Sequence, residues 1–204
     1  VPEIGLFEAM YTQRALRSFK PDPVPQELIR KVIEAATKAP SGSNAQDWRF
    51  IIIRDQLIKG KIGELYKQAW ASVFEARAAP PGQLEPRIRS SASHLADHIG
   101  EVPVLVLVCV QHHGGPTRME RGASIYPAVQ NFLLAARGLG LASVLTTLHK
   151  RYEDQVKQVL GIPQNVETAA LLPLGWPAEG VRYGPNKRKP IGEVTYYDRW
   201  GKTI

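Results

Sequence analysis

The side chains able to do chemistry fall into short groups, and several fail a test of spacing. His94 and His98 lie four residues apart with Asp97 beside them, so a helix would put both imidazoles on one face. A zinc-protease pair would carry Glu directly after the first histidine, and Leu95 stands there instead, so that face is expected to be solvated. His112 and His113 are adjacent and run into Gly114-Gly115, which reads as a turn. Gly138-Leu-Gly140 resembles part of a dinucleotide fingerprint, but it follows a helical stretch and precedes a strand, the reverse of the order that motif needs. Those glycines read as a helix end and turn. Cys109, the one cysteine, lies in an apolar run and reads as core. No Gly-x-Ser-x-Gly elbow occurs. Hydrolase nucleophiles and metal centres therefore find no support.

Three other segments share one physical theme. Gln13-Arg14-Ala15-Leu16-Arg17-Ser18-Phe19 places two guanidinium forks three residues apart, each suited to phosphate or carbonyl oxygens. Ala39-Pro40-Ser41-Gly42-Ser43-Asn44-Ala45-Gln46-Asp47-Trp48 crowds small hydroxyls, amides and open backbone between a helix and a strand. Asn186-Lys187-Arg188-Lys189-Pro190 is cationic. Taken singly, these read as surface ion pairs and an ordinary loop.

The elements that must position them follow from periodicity. Ile4 to Tyr11 has the pattern of a short amphipathic helix. Pro25 opens a helix with Leu28, Ile29, Val32, Ile33, Ala36 and Ala39 on one stripe, and Pro40 stops it. Trp48 to Ile53 is a buried strand and Gln56 to Arg77 a longer helix. Residues 78 to 92, with Pro80-Pro81-Gly82 and Pro86, read as an excursion of the kind that covers a pocket. A short helix follows over Ser91 to Ile99, then a central strand over Pro103 to Val110. A helix over Arg121 to Leu139 is kinked or begun at Pro127, and a strand is expected over Leu141 to Thr147. Tyr152 to Leu160 is a helix closed by Gly161, and Glu167 to Gly175 a last long strand. The tail from Lys187 is too polar to pack alone and is expected on a surface, its own or that of a second subunit. This order of elements predicts a single α+β domain over residues 1–204, a sheet wrapped by helices.

Composition narrows the partners. The chain has 204 residues, 44% hydrophobic and 22% charged, enough to bury a core. The longest apolar run, Val102 to Val110, falls well short of the roughly 20 residues of a membrane helix. No signal-peptide pattern is visible, and a lone cysteine suits a reducing compartment, so a cytoplasmic location is expected. The net charge of +7 favours anionic partners. No long basic block interleaved with aromatics occurs, which argues against nucleic acid and leaves a bound phosphate as the better use of scattered arginines.

Taken together and in order, the segments resemble the nitroreductase family of FMN-dependent oxidoreductases. The family's Arg-Arg-Ser-x-Arg-x-Phe stands here as Gln13 to Phe19, and its Pro-Val-Pro as Pro23-Val24-Pro25. Its Ala-Pro-Ser-Gly-x-Asn-x-Gln-Pro-Trp stands as Ala39 to Trp48, with Asp47 in place of proline. Gln130-Asn131-Phe132, Gly138-Leu-Gly140, Thr146-Thr147, Leu174-Gly175-Trp176-Pro177 and Arg188-Lys189-Pro190 match the later motifs. The resemblance implies a mainly antiparallel mixed sheet flanked by helices, and a homodimer with FMN at the subunit interface and the tail extending onto the partner.

It also implies a cofactor site made of Gln13, Arg14, Ala15, Leu16 and Arg17; of Pro40, Ser41, Gly42, Ser43, Asn44 and Gln46; of Leu145, Thr146 and Thr147; and of Lys187 and Arg188. By position match Arg14 and Arg188 hold the phosphate, Arg17 faces the pyrimidine edge, Ser41 contacts the flavin, and Thr146-Thr147 reach its N4–N5 edge. Gln13 and Ala15 replace an arginine and a serine of the family pattern; Lys187 or Lys189 is placed to compensate. The implied activity is ping-pong reduction of a nitro compound or quinone by NADH or NADPH, with no catalytic side chain of the protein's own. Trp70 and Phe74, under a variable lid at about 60–95, are candidates for the substrate pocket, with plain core packing as the alternative. Other expectations stay open: a flavin-storage protein, a dehalogenase-type member or a flavin-destroying member. The deiodinase branch grips its substrate with Glu, Tyr and Lys; Glu64 and Tyr66 lack the expected spacing, and no lysine lies between Lys67 and Lys150, which disfavours it.

Overall fold

The computed structural model describes residues 4–74, 85–111 and 119–202, and only the backbone of residues 119–121. The expected helix end at 75–77, residues 78–84 of the 78–92 excursion and the His112-His113 turn lie outside the described residues. Four strands form one sheet in the order β1-β2-β4-β3: β1 (Trp48–Ile53), β2 (Val104–Gln111), β3 (Ala142–Ser143) and β4 (Val166–Gly175). Every pairing between these strands is antiparallel, and none among the described residues is parallel, so the mixed character expected of the sheet is not seen within this chain. Trp48 pairs with Val110 and Ile53 with Leu105, while Val104 pairs with Leu174 across a register shift at Val108/Cys109.

β2 shows why the centre of this sheet has no solvent face. Successive side chains of a strand point to opposite faces. Val104, Val106 and Val108 enter one core with α2 (Gln26–Ala36) and α5 (Met119–Gly138). Leu105, Leu107 and Cys109 enter the other with α3 (Gln56–Phe74), α4 (Pro86–His98) and α6 (Glu153–Leu160). A strand covered on both faces needs apolar residues at every position, hence the uninterrupted run in the sequence. α2 follows its predicted stripe, burying Ile29, Val32 and Ala36. α5 carries Pro127 inside it and continues to Gly138, so the proline interrupts the hydrogen-bond ladder without ending the helix.

Three expectations are corrected. α4 starts at Pro86, not Ser91, with the proline in the first turn where its missing N–H costs nothing. The strand expected over Leu141–Thr147 pairs only at Ala142–Ser143 and again as a single bridge, Thr146 to Leu171. Between them Val144 is buried and Leu145 is turned outward. The helix expected from Tyr152 is preceded by a 3-10 turn over Leu148–Tyr152, and Gly161, at φ 66°, ends it as anticipated. α1 (Leu6–Thr12) leaves Leu6, Phe7, Met10 and Tyr11 exposed.

Candidate functional site

The Gln13–Phe19 segment is extended and tied down along its length. Leu16 is buried and gives its N–H to the Ser143 carbonyl at 3.2 Å. Lys20 N–H bonds Trp176 O at 2.9 Å, and Ala178 N–H bonds Ser18 O at 3.1 Å. Downstream, Gly184 N–H reaches Thr12 O at 3.1 Å, and Asn186 Nδ2 donates to Gln13 O at 2.6 Å. The returning chain is thus laced to this segment as far as Asn186, which brings Lys187 and Arg188 beside it.

A cleft of ≈ 570 Å³ opens there, lined by Arg14 to Ser18, by Arg87, Ile88 and Ser91 of α4, and by Lys187 and Arg188. Six of the expected cofactor residues, Arg14, Ala15, Leu16, Arg17, Lys187 and Arg188, therefore border one space. Gln13 does not line it, and contributes the carbonyl that anchors Asn186. Five cations border the cleft against one acid, Glu85. None of the five has a carboxylate partner among the described residues. Burial holds the Arg17 guanidinium below its usual range, yet an arginine stays charged at neutral pH. Uncompensated guanidinium groups converging on a concave surface have the chemistry of a phosphate site. Arg87 was missed by sequence reasoning because it stands in a proline-flanked stretch read as excursion.

The Pro40–Gln46 segment is elsewhere: it lines no part of this cleft. Its backbone is strained, with φ of 52° at Ser43, 54° at Asn44 and 53° at Gln46. Local bonds hold it: Ser41 Oγ accepts from Gln46 N–H at 3.2 Å, Gln46 Nε2 donates to Asn44 Oδ1 at 3.2 Å, and Gly42 N–H donates to Ser124 Oγ at 3.1 Å. One copy of the chain does not assemble the three expected segments around one space.

At the third segment, Thr146 is already committed. Its N–H and carbonyl bridge to Leu171, and its hydroxyl lies 2.7 Å from the Tyr66 hydroxyl. Tyr66 is buried; burial pushes its phenol up, with the Thr146 bond and Arg17 pulling the other way. Thr147 is exposed, with its N–H and hydroxyl unpartnered among the described residues. Leu145 is exposed beside it. Trp70 lies in the core at 5% exposure, stacked on the half-buried Phe74 at 4.3 Å between ring centroids, and does not line this cleft. Cys109 is fully buried and burial pushes its thiol up to about 12, which removes it as a nucleophile. No cluster of metal-ligating side chains occurs among the described residues.

Cleft, sheet and motif order together define a class, and comparison with known proteins agrees. The Nitroreductase family pattern matches residues 11–176, and the chain belongs to that family. Iodotyrosine deiodinase 1 of Rattus norvegicus is 27% identical over 194 residues, covering 92% of this chain and 67% of its own length. A protein of Methanothermobacter thermautotrophicus, provisionally named NADH dehydrogenase/NAD(P)H nitroreductase, is 30% identical over 184 residues, covering 88% of this chain and 81% of its own. Among solved structures, an oxidized iodotyrosine deiodinase bound to FMN and 3-iodo-L-tyrosine superposes with a TM-score of 0.72 at 25% identity, over 91% of this chain and 97% of that one. The fold is nitroreductase-like, α+β with an antiparallel sheet and flanking helices. No helix among the described residues is long and apolar enough to cross a membrane.

Proposed function

We propose that this chain is an FMN-dependent oxidoreductase that takes electrons from NADH or NADPH and passes them to a flat aromatic acceptor, a quinone or nitroarene. The observation that carries this is the convergence of Arg14, Arg17, Lys187 and Arg188, all without carboxylate partners among the described residues, on one cleft. When bound, FMN supplies two-electron acceptance from a nicotinamide and delivery to the acceptor. Arg14 and Arg188, with Lys187, would hold the phosphate, the extra lysine standing in for the arginine that Gln13 replaces. Arg17 would fix positive charge at the pyrimidine edge, which favours reduction. Thr147, with its free N–H and hydroxyl, would serve the N5 edge, while Tyr66 and Leu171 hold Thr146 and so set the path of the chain.

The Ser41 loop would complete the site from a second copy, which also accounts for its distance from the arginine cleft. The test is direct: protein purified without added flavin should be yellow, release FMN on denaturation, and oxidise NADH or NADPH steadily with menadione. A colourless protein, or one that is reduced once and passes electrons to no acceptor, rejects the proposal.

A second reading, reductive dehalogenation, is favoured by the likeness to iodotyrosine deiodinases. Against it, Glu64 is exposed while Tyr66 is buried; two residues apart on α3, they point to different sides of the helix and cannot grip one zwitterion together. Iodide release from 3-iodo-L-tyrosine by the reduced protein, at a rate matching quinone turnover, would make this second reading the correct one.

A further inference from the structure

The flavin site leaves part of α4 unused. Arg87, Ser91, His94 and His98 recur at helical spacing, so one face of the helix carries all four. Arg87 and Ser91 border the Arg14 cleft. His94 and His98 border a second cleft of ≈ 390 Å³, whose other wall is Arg17, Phe19 and Lys20. Arg17 is common to both, so the two clefts adjoin along one helix.

The second cleft has its own chemistry. Leu95 and Val102, both buried, form an apolar floor with the half-buried Phe19. The His94 and His98 ring centroids lie 4.6 Å apart, with the rings tilted against each other. Its one carboxylate, Glu101, is engaged by His98 Nδ1 at 3.1 Å. Arg17 and Lys20 have no carboxylate partner among the described residues, and the Lys20 backbone is fixed by its bond to Trp176. The volume lies in the range of ligand pockets, about 300–1,000 Å³. Apolar floor, two imidazoles and one cation, Lys20, that the flavin reading leaves unused match a heteroaromatic base carrying a phosphate.

The geometry points to this cleft as the seat of the adenosine 2′-phosphate end of the nicotinamide donor, with Lys20 and His94 reading that phosphate, so that the protein selects NADPH over NADH. Taking the chain as an FMN-dependent reductase, the nicotinamide must reach the flavin, whose pyrimidine edge Arg17 would hold, and the adenosine end must lie outside the flavin site. A neighbouring cleft that shares Arg17 and the same helix wall gives a long polyanion its continuation. The two donors differ only by the 2′-phosphate, so a cation placed here acts on one and not the other.

Two measurements on the protein as purified test this. Calorimetric titration with adenosine 2′,5′-bisphosphate reads the subsite without turnover, and Lys20→Glu should weaken that binding by roughly 10- to 100-fold while leaving 5′-AMP little changed. The ratio of kcat/KM for NADPH to that for NADH should fall by a similar factor in Lys20→Glu and by less in His94→Ala, with flavin content unchanged. Equal bisphosphate binding by wild type and Lys20→Glu, or a donor ratio that stays within about twofold, overturns the assignment. A yellow, active enzyme indifferent to Lys20 rejects the subsite alone. A colourless protein with Lys20-dependent bisphosphate binding rejects the flavin proposal and supports the subsite.

Discussion

Arg14 and His149 carry the sharpest consequences at the scale of single residues. Arg14 borders the cleft with no carboxylate partner among the described residues, so its fork is available to an anion. Arg14→Ala should weaken FMN by roughly 10- to 100-fold, the worth of a charge-assisted bond, and Arg14→Lys should restore only part, since a point charge lacks the planar fork. Fluorescence of released flavin on dilution measures both. His149 is 1% exposed, and its Nε2 lies 3.1 Å from Thr168 Oγ1. Thr168 spends its one hydrogen on Glu153 Oε1 at 2.8 Å, so His149 must donate through Nε2–H, and its Nδ1 is left without a partner. Burial, aided by Lys150, brings the imidazole down to about 4, while Glu153 opposes the shift. A depressed folded value means the unfolded chain binds the proton first, so stability is whole above pH ~6.5 and declines as pH falls toward ~4, by roughly 3 kcal/mol. Urea titrations between those limits should show the decline in wild type. In His149→Gln, whose amide can still donate to Thr168 but does not titrate, the slope should be smaller; equal slopes would show that other groups are responsible.

Gly175 governs how the arginine segment meets the sheet at the scale of elements. A Cβ there would lie 3.1 Å from Phe19 Cδ1 and 3.1 Å from Pro103 Cδ. The proline ring cannot rotate aside, and Phe19 is held by its bridge to Pro177, so the Arg14–Phe19 segment would be pushed off β4. Gly175→Ala should cost ~1–3 kcal/mol, as overpacking does, and should lower FMN affinity along with the melting temperature. A variant as stable as wild type would show that the close approach is not needed. Elements with strong periodicity were legible in the sequence: α2, β2 and β4 bury the stripe or run that foretold them, α3 buries its stripe except at exposed Leu57, and β1, an edge strand, buries only Trp48 and Ile53 of a run expected to be buried throughout. The Leu141–Thr147 segment was not, because its composition suits a strand throughout, whereas pairing is decided by β4, which supplies partners only at Leu174, Gly175 and Leu171. The start of α4 was hidden by Pro86, which reads as a breaker until its place in the first turn is known. The role of α4 as a cationic wall was hidden for a different reason, since exposed histidines and arginines on a helix look alike whether they face solvent or a cleft.

The largest question left by one chain is how the Ser41 loop and the arginine cleft can serve one cofactor. Motif order assigned both to one expected site; that they lie apart in one chain depends on tertiary packing, which the motifs do not carry. The loop keeps three strained non-glycine residues, which persist only where something over-determines them. Large apolar side chains meanwhile stand in solvent at both ends of the described chain: Phe7 at 66% and Tyr11 at 69% on α1, Ile191 at 77% and Trp200 at 90% in the tail. Hydrogen bonds from the tail to the rest of the described chain stop at Asn186, so residues 187–202 are held to the body by little else. Exposed apolar side chains that pair with each other, Phe7 with Tyr11 and Tyr196 with Trp200, are the kind of surface an interface covers. A twofold pairing that covers α1 and the tail, and presents the Ser41 loop of one copy to the Arg14 cleft of the other, satisfies all of these at once. Sedimentation equilibrium should then give a dimer. Deleting residues 190–204 should shift it toward monomer and weaken FMN in proportion, because flavin that binds only the dimer is linked to subunit concentration by mass action. Trp200→Asp should do the same without shortening the chain, by burying a charge in the interface. A monomer that retains its flavin on dilution would mean that the Ser41 loop has no part in the site, and that the arginine cleft holds the cofactor alone.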